Sequence, residues 1–180
     1  VPIAAKKEGV LEACRALKET LAAAGVRVTL DDSENSPGWK FNEWEMKGVP
    51  VRIELGPRDL EAGKCTLFRR DTLEKSECAL DGAVQTVKEL LVEISDTMYE
   101  RAKARMDARI VRAETLEELL AGVEGGNFVR AGWCGCRACE DKVKEFAQAT
   151  ARVLDGENTS DTCVVCGKKA QSTVVFARAY

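Results

Sequence analysis

The chain has 180 residues, 45% hydrophobic and 32% charged, with a formal net charge of −3, which leaves room for one large or two small globular domains and excludes binding to nucleic acid through bulk charge alone. No apolar run approaches the roughly 18 residues that a bilayer span requires, and no segment resembles a signal peptide, so no membrane partner and a cytoplasmic location are expected. Histidine is absent altogether, which removes imidazole acid–base catalysis and leaves cysteine or carboxylate as the only means of holding a metal.

Val1-Pro2-Ile3 reads as the tail of a strand already in progress, so a truncated first strand and a fragment or processed product are expected. Val10, Leu11, Cys14, Leu17 and Leu21 recur at helical spacing between Lys7 and Ala24, and Gly25 terminates the run. Val26 to Leu30 alternates with polar residues and predicts a strand leading into Asp31-Asp32. Ser36 as N-cap and Pro37 at the first helical position open a helix expected to reach about Lys47 and stop at Gly48. Val49, Val51, Ile53 and Leu55 alternate with Pro50, Arg52 and Glu54, a strand with one apolar and one polar face. Gly56-Pro57 breaks the pattern, and residues 64–70 and 75–80 predict a hairpin. Asp81 is expected to cap a long helix striped by Val84, Val87, Leu91, Ile94 and Met98. Residues 1–100 therefore predict an α/β domain, a mixed sheet covered by helices.

Residues 101–180 predict a small α+β domain that begins with the polar continuation of the long helix. Thr115-x-x-Glu118 is a capping box. Phe128 to Trp133 predicts a strand, Glu140 to Thr150 a helix, Asp155 to Asp161 a polar loop, and Thr173 to Ala177 a terminal strand.

The eight cysteines are unevenly spread. Cys14, Cys65 and Cys78 stand alone and read as small buried apolar residues. Cys134-x4-Cys139 and Cys163-x2-Cys166 form two short-spaced pairs, each able to present two thiolates on one side of a turn. Together they suit a closed tetrahedral zinc site of four sulfurs, which is structural because no position remains for water. Spacing leaves pairings through Cys136 open, as Cys134-x-Cys136 or Cys136-x2-Cys139. Gly167, directly after Cys166, suits a backbone turning around a metal.

The stretch from Pro37 to Leu60, PGWKFNEWEMKGVPVRIELGPRDL, is dense in aromatic, basic and acidic residues. Such a mixture suits unstacked bases: rings to stack on, Arg and Lys for base edges or phosphates, and Glu to accept base N–H groups. Its bland alternative is an amphipathic helix with solvated charges, followed by a strand. This stretch, the later RRDTLEK, the WCG and CED segments, the CVVCGK pair and the closing FARAY together resemble prolyl-tRNA synthetase of the archaeal/eukaryotic type along essentially the whole chain. The resemblance implies a class II synthetase anticodon-binding domain with a mixed five-stranded sheet, followed by a zinc-binding C-terminal domain. It implies that Phe41, Glu45, Arg52, Arg58 and Lys75 read the two guanines of the proline anticodon. It implies zinc ligands at Cys134, Cys139, Cys163 and Cys166, with Cys136 free, and a terminal Tyr180 whose carboxylate reaches towards the parent active site. ATP and Mg²⁺ belong to a catalytic domain that would lie before Val1, and no catalytic residue is expected here. The implied partners are proline tRNA, that catalytic domain and a second copy of the parent. A free-standing RNA-binding paralogue without catalysis and a zinc-stabilised redox protein are the competing functions.

Overall fold

The computed structural model describes residues 1–156 and 160–178, which form two compact units, Val1–Tyr99 and Glu100–Tyr180. The boundary falls within one long helix. Among the described residues no helix is long and apolar enough to cross a membrane.

The first unit contains α1 (Val10–Ala23), α2 (Pro37–Met46), β1 (Val51–Glu54), α3 (Pro57–Glu61), β2 (Lys64–Arg69), β3 (Lys75–Ala79) and the start of α4 (Ala83–Asp107). The strands form an antiparallel sheet in the order β1-β2-β3. One sheet face carries Ile53, Leu55, Cys65 and Leu67, which pack against Val10, Cys14 and Leu21 of α1 and Ala83 and Val87 of α4. Each fully buried Leu or Val there contributes about 2 kcal/mol of hydrophobic stabilisation. Cys14 and Cys65 are buried in this core as expected, whereas Cys78 packs against it only partly buried. Burial raises the Cys65 thiol to about 12 beside Cys78, its partner across the hairpin.

Several helix ends follow from local chemistry. Gly9 adopts φ 78°, so α1 starts at Val10 and not at Lys7. The Ser36 hydroxyl accepts from the Trp39 amide, and α2 ends at Met46 with Gly48 at φ 80°. Beyond the break at Gly56, Pro57 opens α3, and the Asp59 carboxylate accepts from the Gly56 amide at 2.9 Å.

Residues 26–30 form no strand. A strand requires a ladder partner, and here Val26, Val28 and Leu30 only lend side chains to the core. Residues 1–3 supply a single parallel bridge, Pro2 to Leu55. The sheet is thus three-stranded among the described residues, against the five strands that the resemblance implies.

The second unit holds the end of α4, β4 (Ile110–Arg112), α5 (Leu116–Glu124), β5 (Phe128–Trp133), α6 (Arg137–Ala147), β6 (Ala149–Asp155) and β7 (Ser172–Arg178). Its sheet is mixed, in the order β4-β5-β7-β6, with β4 parallel to β5 and the other pairs antiparallel. Leu119, Val123, Val129, Val143, Val174 and Phe176 form the core. The capping box is present: the Thr115 hydroxyl accepts from the Glu118 amide at 3.1 Å, and the Glu118 carboxylate accepts from the Thr115 amide at 3.3 Å. The helix expected over 140–150 ends at Ala147, because Gln148 turns the backbone to φ 52° and sends it into β6.

Candidate nucleic-acid interface and metal centre

Opposite residues of an antiparallel pair share a sheet face. In β1 and β2 Arg52 lies opposite Phe68, and Phe68 in turn lies opposite Lys75 of β3. Glu54, two residues beyond Arg52, falls on the same face by strand alternation. This is the polar face of β1, and α2 meets it. The Arg52 guanidinium lies over the Phe41 ring of α2, 3.8 Å from its centroid, and over Phe68 at 4.1 Å. Its Nη1 donates to Glu45 Oε1 at 2.6 Å, while Nε and Nη2 donate to Glu54 Oε1 at 3.1 and 3.0 Å. Lys75 Nζ donates to Glu54 Oε2 at 2.7 Å and lies 5.6 Å from the Phe41 centroid.

Four of the five predicted base-reading residues, Phe41, Glu45, Arg52 and Lys75, therefore share one network. Arg58 sits exposed on α3 and takes no part in it. Arg52 and Glu54 are each only 7% exposed, so the polar strand face is a covered charge cluster and not a solvated surface. Glu45 is 34% exposed and Lys75 51%. Sequence reasoning missed Glu54, whose one signal was its placement two residues from Arg52 on the same strand face.

The four cysteines of the two short-spaced pairs come together in the second unit, all four sulfurs lying within 4.8 Å of one another. Cys134 follows β5, and Cys139 lies in the first turn of α6. Cys163 and Cys166 bracket a tight turn in which Gly167, at φ 68°, donates its amide to the Cys163 carbonyl at 2.9 Å. Cys134 Sγ lies 3.7 Å from Cys139 Sγ and 3.8 Å from Cys166 Sγ. Four sulfurs at about 2.3 Å from one ion define a tetrahedron with edges of about 3.8 Å, so the donor set fits a closed metal site. Burial opposes ionisation of Cys163, but the amides of Cys166, Val165 and Cys134 point at its sulfur and bring the thiol down to about 7. Cys136 caps α6, is exposed and stands outside this group of four. Tyr180 lies outside the described residues.

Gly132 of β5 lets the turn approach. A methyl group there would run into the Thr162 carbonyl oxygen and the Ser160 Cβ, and the Gly132 carbonyl accepts from the Val164 amide at 2.9 Å. Gly132→Ala should destabilise the second unit by about 1–3 kcal/mol, the usual range for overpacking, and lower its metal content. A thermal melt with elemental analysis checks both. An unchanged melt would show that the turn yields freely.

An α/β unit with a charged, aromatic sheet face, followed by a unit closed by four cysteines, matches known sequence families in the same order. Residues 1–90 match the model of the anticodon binding domain, and residues 116–180 match that of the prolyl-tRNA synthetase C-terminal domain. The chain belongs to the anticodon-binding domain family and carries the prolyl-tRNA synthetase C-terminal domain behind it. It is 48% identical to the proline–tRNA ligases of Clostridium botulinum strain Loch Maree and of Lachnoclostridium phytofermentans, and 43% identical to that of Lachnospira eligens. Each match covers 100% of this chain and 38% of the relative, so the chain spans well under half the length of these enzymes.

Proposed function

We propose that this chain reads the anticodon of proline tRNA for a proline–tRNA ligase, the parent enzyme that joins proline to its tRNA with ATP and Mg²⁺ in a separate catalytic domain. The observation that carries this reading is the network that joins Phe41 and Glu45 of α2 to Arg52 and Lys75 on the sheet face. Phe41 offers a stacking ring. Glu45 presents a part-exposed carboxylate to guanine N1–H and N2–H₂, an edge that adenine lacks. Lys75 and, from α3, Arg58 supply exposed donors for guanine O6, N7 or phosphate, while Arg52, buried and bonded to Glu45 and Glu54, holds the Glu45 carboxylate in place. The parent's further partner is a second copy of itself, in the cytoplasm.

In the second unit, zinc held by Cys134, Cys139, Cys163 and Cys166 ties β5, α6 and the turn before β7 into one folded piece. Four thiolates and no open position make that role structural. When bound, the ion supplies folding free energy and no reaction chemistry.

The test is binding of the proline anticodon stem–loop against loops with adenine at each guanine. Glu45→Gln should lose about 1–3 kcal/mol of guanine preference, the range of a good bidentate base contact. Lys18→Ala, away from the network, should alter only the salt-dependent term. Equal effects of the two variants would leave the network a structural role only and remove the anticodon reading.

A further inference from the structure

Glu54 is a buried carboxylate to which the reading above gives no task. Its Oε1 accepts from both Arg52 Nε and Nη2, and its Oε2 accepts from Lys75 Nζ. Burying a carboxylate costs several kcal/mol unless cations and hydrogen bonds offset it. Here two cations do, and neither oxygen is left to face a base. The remaining guanidinium nitrogen, Nη1, donates to Glu45, and the guanidinium faces lie against Phe41 and Phe68. Lys75, Glu54, Arg52 and Glu45 form one chain of alternating charge that ends on the part-exposed carboxylate.

We propose that Glu54 is a positioning residue: by fixing Arg52 and Lys75 it sets the orientation of Glu45 and Phe41 for guanine. The proposal rests on the anticodon reading. Fixed donors and acceptors discriminate because they need no rearrangement when the base arrives. A second consequence follows from charge. Glu45, Arg52, Glu54 and Lys75 sum to zero, so neutralising Glu54 leaves a net positive cluster. General attraction to RNA then rises while selectivity falls. A purely structural defect would lower both.

The test uses Glu54→Gln, which keeps the side chain's size, and compares binding of the guanine-containing loop with its adenine variants. We expect about a tenfold fall in guanine preference, with unchanged or tighter binding of the adenine loops. In a double-mutant cycle, adding Glu54→Gln to Glu45→Gln should cost little further preference, because Glu54 acts through the same carboxylate. Wild-type preference in Glu54→Gln, or losses that add in full, overturns the proposal while the anticodon reading stands. A Glu45→Gln single variant with undiminished preference overturns that reading and the proposal with it. Should Glu54→Gln fail to fold by circular dichroism, Glu54→Asp keeps the charge but withdraws it by one methylene. It must then show the same loss of preference, and intact preference overturns the proposal.

Discussion

Cys139→Ser is expected to leave the chain without bound zinc and the second unit largely unfolded. Cys139 is buried at the start of α6, where its sulfur meets Cys134 Sγ at 3.7 Å. A structural zinc site contributes on the order of 10 kcal/mol to folding, while whole domains are stable by only about 5–15 kcal/mol. The second unit is small, and its core relies on valine and alanine beside one buried Phe and one buried Leu. It has little stability to spare. Elemental analysis should find one zinc per chain in the parent protein and in Cys136→Ser, and none in Cys139→Ser. Chelation should reproduce the loss of far-ultraviolet signal. The first unit has a separate core, so guanine preference should survive. Full metal in Cys139→Ser, or its loss in Cys136→Ser, would overturn the ligand set.

Where the local code was strong, the structure was legible in the sequence. Ser36-Pro37 opens α2, Thr115-x-x-Glu118 opens α5, and the two hairpin strands and β5 fall within the predicted spans 64–70, 75–80 and 128–133. The misses share one physical origin, because they depend on contacts distant in sequence. Residues 26–30 alternate like a strand but find no ladder. The predicted helix overruns into Ala149 and Thr150, the first two residues of β6, because a glutamine in the left-handed region gives none of the warning that glycine gives, and residues 151–154 carry no strand prediction. The cysteine pairs announced a metal site by spacing, yet only the geometry separates Cys136 from the group of four. For the proposed interface, composition marked only the stretch 37–60 and the family resemblance named the residues, whereas the burial of Arg52 and Glu54 emerges only when α2 lies on the polar face of β1.

Asp31→Ala is expected to destabilise the first unit by roughly 3 kcal/mol, the scale of breaking a buried ion pair, and to weaken guanine preference at the same time. The reason lies in how α2 is held. Its one buried residue is a lysine, Lys40, only 2% exposed, so apolar burial alone does not anchor the helix. Lys40 Nζ donates to the Asp31 carbonyl at 3.0 Å and lies 3.7 Å from Asp31 Oδ1. Trp44 Nε1, one turn further along α2, donates to Asp31 Oδ2 at 2.8 Å, and the Ser33 hydroxyl donates to Oδ1 at 2.6 Å. Alanine would remove the carboxylate from all three and leave a buried ammonium with only the backbone carbonyl. Phe41 and Glu45 ride on the same helix, so their alignment should loosen with it. The pH dependence supplies a second measurement. Burial alone would raise the Asp31 carboxyl, but the hydrogen bonds from Ser33 and Trp44 and the charge of Lys40 outweigh it, and the net shift is downward. A carboxyl lowered in the folded state stabilises it fully above the unfolded value of about 3.9. That stabilisation is lost as pH falls through the lower folded value. Denaturant unfolding of the wild type should therefore show a stability loss below about pH 4 that is smaller in Asp31→Asn. Coincident pH profiles for the two proteins, or full stability in Asp31→Ala, would show that α2 is held by other contacts.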